Sequence, residues 1–448
     1  MLITNGILVT WEDENRILEG YAMRIDGGKI THIANQPELL MQFPTDEKLD
    51  AHGQLIMPGN ICAHTHFYGA YSRGMGIPGE SPNGFVQILE KLWWPLDKAL
   101  DRQSVKASAQ VCILDAIRHG TTTLFDHHAS PSYIEGSLDE IYEVVDESGI
   151  RASLCYEVTD RNGLDQADAG IRENARFANF VLKNHPLNGR VSATFGLHAS
   201  LTVSDRTLEK SLAAKPDGIG FHIHVAESEA DEYDSLAKSG MRTVDRLDKF
   251  GILGPKTIVA HAVHIDARET ELLAKNGVWV THQPRSNMNN AVGLAAVESM
   301  DRAGVKMCLG NDGFSNTMWD EWKATYLAHK LWHHDPRRMN GSLVAKMAIN
   351  QNRNLVNNQF SGIKVGILEP GAQADLILVD YHPFTPLTAG NIPWHIIFGF
   401  NESLITTTLV DGVILMKDRQ IICMDEEKVF AEAKKLAPGV WKRYTAQF

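Results

Sequence analysis

Two histidines, His64 and His66, close the stretch Pro58-Gly59-Asn60-Ile61-Cys62-Ala63-His64-Thr65-His66-Phe67. The apolar run Leu55-Ile56-Met57 leads into it and predicts a strand over Ile56–His66. On a strand, a spacing of i, i+2 sends both imidazoles to one face. A hydrolytic metal site needs about three or four N/O ligands and an open position for water, so this pair supplies part of one. His-X-His alone is common. Its meaning depends on the ends of the other strands.

Those ends are polar in the same way. The chain offers Leu197-His198-Ala199, then Phe221-His222-Ile223-His224-Val225-Ala226-Glu227, then Val259-Ala260-His261 with His264 close behind. His282 precedes Pro284-Arg285-Ser286-Asn287, and Leu309-Gly310-Asn311-Asp312-Gly313 follows the last apolar run. His64, His66, one fifth-strand histidine and Asp312 make up a mononuclear donor set. Of the two fifth-strand candidates His224 is nearer the rim, and His222 is expected one layer deeper, in support. The fourth strand has no lysine to bridge a second metal. A bound ion brings the pKa of water down to about 7, and the reaction then needs a group that accepts and returns a proton. Glu227 suits that task. His261 is expected to orient the hydroxide or stabilise the tetrahedral intermediate, and Asp312 to take the water's proton besides contacting the metal. His198 is a substrate hydrogen-bond candidate. Trp93, beside Trp94 in a helical stretch over Phe85–Leu100, is expected to cover a flat substrate, and Arg73 in the same loop to read an oxygen or carboxylate. His127 and His128 follow Asp126 without an assigned role, and His333 and His334 are expected at the surface.

Short strands alternate with longer helical patterns from about residue 55 to 312. The strands are Ile56–His66, Thr122–His128, Arg151–Thr159, Val191–Ala199, Ile219–Glu227, Thr257–His264, Val278–Gln283 and Val305–Asp312. Helical stretches between them include Ser104–His119, Ala169–Lys183 and Glu229–Lys249. Such alternation predicts a parallel sheet, and eight strands predict a closed (β/α)8 TIM barrel, whose active sites lie at the C-terminal strand ends. No Gly-x-Gly-x-x-Gly follows the first strand, which disfavours an open nucleotide-binding sheet. Residues 1–54 and 365–448 read as short strands and turns plus a terminal helix. Neither flank can bury a good core alone. They are expected to form one small β-sandwich domain from both chain ends, beside a metal-dependent barrel over 55–364.

The chain has 448 residues, 44% of them hydrophobic and 22% charged, with a net charge of −12. That balance fits a globular protein and argues against nucleic acid or acidic membranes as partners. No apolar run of about 18 residues suggests a spanning helix. The start, Leu2-Ile3-Thr4-Asn5-Gly6-Ile7-Leu8-Val9, has no signal-peptide pattern. Cys62, Cys112, Cys155, Cys308 and Cys423 are scattered without a CxxC pair, as reduced core cysteines of a cytoplasmic protein would be.

Several motifs together resemble the amidohydrolase superfamily, in its cytosine/guanine deaminase and chlorohydrolase-like branch. They are Met57-Pro58-Gly59 through His66, His224-Val225-Ala226-Glu227, Ala260-His261, Pro284-Arg285-Ser286-Asn287, Gly310-Asn311-Asp312-Gly313 and Gly366-Ile367-Leu368-Glu369-Pro370-Gly371 through Asp375-Leu376. Finer features, such as His66-Phe67-Tyr68-Gly69, Leu92-Trp93-Trp94 and Asp126-His127-His128-Ala129-Ser130-Pro131, are most similar to the aminohydrolase group called SsnA. The resemblance implies one divalent ion per subunit, Zn²⁺ first and Fe²⁺ second, on His64, His66, His224 and Asp312. It also implies catalysis by Glu227 and His261, and a homo-oligomer. The expected reaction is deamination of an amino-substituted purine-, pterin- or pyrimidine-type heterocycle, by attack of metal hydroxide with release of ammonia. The alternative is hydrolysis of another C–N or C–Cl bond, as in cyclic amide opening or triazine dechlorination. Met288-Asn289 and His198 depart from the adenosine- and guanine-deaminase patterns and point away from both of those substrates.

Overall fold

The computed structural model describes every residue except Pro186 and Asn188. Eight parallel strands, each buried along nearly its whole length, form the centre. In chain order they are Asn60–Thr65, Thr121–His128, Arg151–Tyr156, Phe195–Ala199, Phe221–Val225, Ile258–His261, Trp279–His282 and Lys306–Leu309. Burial on both faces explains why they read as continuous apolar runs rather than alternating ones. They pair as two arcs. The first holds strands one to three plus Val191–Ala193, and the second runs from the fourth strand to the eighth. Both seams carry backbone bonds. His198 N donates to Val158 O at 2.9 Å, and His66 N donates to Asp312 O at 3.0 Å. The result is the expected (β/α)8 barrel.

Helices cover the barrel with local stop and start signals. Asp101 and Ser104 form a capping box at the start of Arg102–Arg118, as Asp266 and Glu269 do for Ala267–Lys275. The helix expected over Glu229–Lys249 is two, Glu229–Ser239 and Thr243–Lys249, because Gly240 takes a left-handed φ of 69° and ends the first. The stretch Phe85–Leu100 holds a π-turn, Leu89–Trp93, between two short α-helical pieces, and this turn sets the direction of Trp93.

The first strand begins later than expected. Leu55–Pro58 belongs to another sheet, and the barrel strand starts at Asn60. Gly59 stands between them because a Cβ there would lie 2.2 Å from the Thr122 side chain. That other sheet has seven strands, ordered 420–421, 413–417, 405–410, 376–379, 55–58, 7–9 and 17–18. A four-stranded sheet, ordered 29–35, 21–26, 2–4 and 48–50, lies at the N-terminal end. Arg151, at the start of the third barrel strand, ties the barrel to the seven-stranded sheet through Asp375 at 2.9 Å and Asp411 at 2.7 Å.

Candidate metal centre and active site

The side chains of His64, His66, His224 and Asp312 converge at one mouth of the barrel, their donor atoms all within 4.8 Å of one another. Hydrogen bonds to the far nitrogens aim two of the rings. His66 Nδ1 donates to His127 O at 2.6 Å and His224 Nδ1 donates to His198 O at 2.9 Å, so each presents an Nε2 lone pair to the centre. His64 Nδ1 lies 2.9 Å from His222 Nε2, which places His222 one layer deeper. Asp312 Oδ1 sits 2.9 Å from His66 Nε2 and 3.2 Å from His64 Nε2, and its Oδ2 accepts from Ser286 Oγ at 2.5 Å.

The cluster fits a divalent cation. His66 Nε2 and His224 Nε2 face each other at 3.2 Å, a repulsive meeting of lone pairs unless positive charge lies beside them. His64 Nε2 is fully buried and, among the described residues, makes no hydrogen bond, Asp312 Oδ1 lying 3.2 Å away without the geometry of one. Burial pushes His64 down to about 3, which leaves it neutral as a ligand must be. Burial opposes protonation of His66 too, yet Asp312 outweighs it and pushes His66 up to about 9, marking the space between them as one that favours positive charge. The backbone is strained here as well: Asp312 has φ 58° and His261 φ 74°.

Glu227 and His261 stand beside this cluster. Glu227 Oε2 lies 3.4 Å from His261 Nε2, and Glu227 Oε1 accepts from Asn290 Nδ2 at 3.2 Å. Asn287 Oδ1, 2.8 Å from His261 Nδ1, fixes that ring so that its Nε2 faces the carboxylate. Burial pushes Glu227 up to about 7, against the pull of His261. A carboxyl group balanced near neutrality can take a proton and give it back.

A cavity opens over these groups, with His66, Trp93, Trp94, His198, Glu227 and Asp312 among its lining residues. Trp93 packs on the glycines of two strand-end loops: a Cβ on Gly313 would lie 3.3 Å from its ring, and one on Gly69 3.5 Å. His198 also lines it, its Nδ1 held by Thr202 Oγ1 at 2.5 Å and its ring 6.3 Å from that of Trp94. Arg73 does not belong to this group. It is exposed beyond the Phe67–Ser72 turn, does not line the cavity, and its charge acts on Asp115 instead. His127 and His128 are props. His127 Nε2 faces the carbonyls of Leu197 and His222 at 3.1 Å each, and His128 Nε2 meets Ser130 Oγ at 2.8 Å. His333 and His334 are exposed.

Glu157, a buried carboxylate of the lining, escaped the sequence reading. Glu157 follows the third strand directly, is 3% exposed, and faces His127 and His198. A carboxylate straight after Leu154-Cys155-Tyr156 was the available signal, of the same kind that singled out Asp312.

Residues 55–415 match the model of the amidohydrolase family. The 5'-deoxyadenosine deaminase of Methanosarcina mazei is 32% identical over 98% of this chain and 97% of its own length. The 5-methylthioadenosine/S-adenosylhomocysteine deaminase of Acetivibrio thermocellus is 31% identical over 98% and 99%. Among solved structures, an adenosine deaminase from Xanthomonas campestris with bound zinc superposes with a TM-score of 0.86 over 98% of both chains, at 22% identity. With a family match over most of its length and relatives aligned from end to end, the chain belongs to the amidohydrolase family.

Proposed function

We propose that the protein deaminates an amino-substituted purine-type heterocycle hydrolytically, with adenosine-like compounds the first class to assay. The carrying observation is a buried carboxyl group near neutrality, Glu227, paired with His261 beside a three-histidine, one-aspartate cluster in a single cavity. The curated relatives support the reading, since those cited above act on 5'-deoxyadenosine or on 5-methylthioadenosine and S-adenosylhomocysteine. His64, His66, His224 and Asp312 would hold the ion, and this donor set suits Zn²⁺ first and Fe²⁺ second. When bound, such an ion supplies Lewis acidity and makes water acidic enough to lose a proton near neutral pH.

The chain's own residues supply the rest. Glu227 takes a proton from the attacking water and passes it to the ring nitrogen next to the carbon under attack. His261, fixed by Asn287, stabilises the charge that develops as the C–O bond forms. Glu227 then takes the proton of the newly added hydroxyl and delivers it to the departing amino group, so that ring–NH₂ and water become ring carbonyl and ammonia. Trp93 and Trp94 enclose the ring and exclude bulk water. Ammonia release from a panel of amino-purines, their nucleosides, pterins and pyrimidines tests the reading on protein of measured metal content. Glu227→Gln should keep its metal and lose about 10²- to 10⁴-fold in turnover. No ammonia from any compound of the panel, or full turnover in Glu227→Gln, would remove it.

A further inference from the structure

The cavity holds a second buried carboxylate that this mechanism leaves unused. Glu157 Oε2 is engaged, 3.2 Å from His127 Nδ1. Its Oε1 is not: among the described residues it accepts no hydrogen bond, and His198 Nε2 stands 3.8 Å away, beyond hydrogen-bond reach. Burial works to push Glu157 up, yet His198 and then His127 outweigh it and hold the group well below the usual carboxylate range. An ionised carboxylate is an acceptor only, and leaving one of its oxygens without a donor in a buried site is costly. A ligand that brings a donor relieves that cost.

Position narrows which part of the ligand does so. Glu227 and His261 come from the fifth and sixth strand ends, whereas Glu157 and His198 come from the third and fourth. Both pairs line the one cavity, so a flat ring whose reacting carbon lies by Glu227 can meet Glu157 with another of its edges. We infer that the substrate ring carries an N–H or amino donor on the edge away from the departing amino group, and that Glu157 Oε1 accepts it. For a purine substituted at N9, which leaves no ring N–H there, this describes a 2-amino-substituted adenine ring within the adenosine-like class rather than plain adenine, whose C2 bears only hydrogen. Selectivity of this kind can be large, because a site built around a hydrogen bond leaves its own polar group unpaired when the analogue lacks the partner.

The inference rests on the deaminase reading above, and its test separates the two. Ammonia release is measured from 9-methyladenine and 2,6-diamino-9-methylpurine, and from the ribosides of adenine and 2,6-diaminopurine, with wild type, Glu157→Leu and Glu157→Gln of measured metal content. Wild type should favour the diamino compound of each pair by about ten- to a hundred-fold in kcat/KM, the span of one hydrogen bond to a charged group. Glu157→Leu should bring that ratio close to one, and Glu157→Gln should lower it several-fold should the leucine variant not fold. Each ratio is internal to one protein sample, so general damage to the site does not change it. Equal turnover within the 9-methyl pair overturns the inference, including the case where only sugar hydroxyls affect the rate. A ratio undiminished in the variants overturns it too. If no compound of the wider panel yields ammonia, the deaminase reading fails and takes this inference with it.

Discussion

At the scale of single residues, the mouth of the barrel is a concentration of groups that would be costly anywhere else. Two Nε2 lone pairs face each other at 3.2 Å, and a third imidazole nitrogen has no partner. A cation removes all three costs at once. Asp312→Ala and His66→Ala should therefore abolish tight metal binding, read as metal content after dialysis. Restoring zinc to chelated wild type should raise its melting temperature, and should not do so in either variant. The four donors were legible in the sequence because strand-end position and residue type together carry that information. Glu157 was passed over although it has the same signature, and Arg73 was included on charge alone. A loop residue's direction is not written in its neighbours.

At the scale of elements, the site depends on how closely the first and eighth strands approach. Gly310 makes that approach possible: a Cβ there would lie 2.8 Å from both N and O of His64. Gly310→Ala should cost about 1–3 kcal/mol through overpacking and should displace His64, lowering metal affinity together with thermal stability. Gly76→Ala, where nothing lies within 4 Å, is the control and should leave both unchanged. Strand and helix periods predicted the alternation well. The breaks at Gly59 and Gly240 were harder to see, since one answers to the Thr122 side chain on a neighbouring strand and the other to a left-handed cap.

At the scale of the whole molecule, both chain ends contribute to one sheet, and we propose the division into 55–364 and the joined flanks 1–54 and 365–448 as the organising one. The terminal helix Glu426–Thr445 is more than an appendage. Trp441 Nε1 donates to Tyr71 O and Tyr444 Oη to Lys91 O, so it holds the segment that carries Trp93. The buried titratable groups act on the acid response in opposing senses. Burial holds His64, His128, His198, His222, His224, His282 and His329 below their ordinary value of 6.5, so they lower stability as pH drops below it. Burial pushes Asp97, Asp126, Glu227, Glu232 and Glu321 up to about 7, so these carboxyls raise stability over the same range.

The sequence by itself determined the architecture and the residue types gathered at the mouth of the barrel. Hydrophobic period and residue type at strand ends are local properties, and a barrel brings all such ends to one place. The tertiary structure alone decided which polar groups remain unpaired, because that depends on neighbours contributed by distant strands. Asp312 and Glu157 look alike along the chain, each a carboxylate after an apolar run. Folding puts Asp312 against His64 and His66, where a cation belongs, and leaves Glu157 Oε1 open to the cavity beside His198, where a substrate donor belongs.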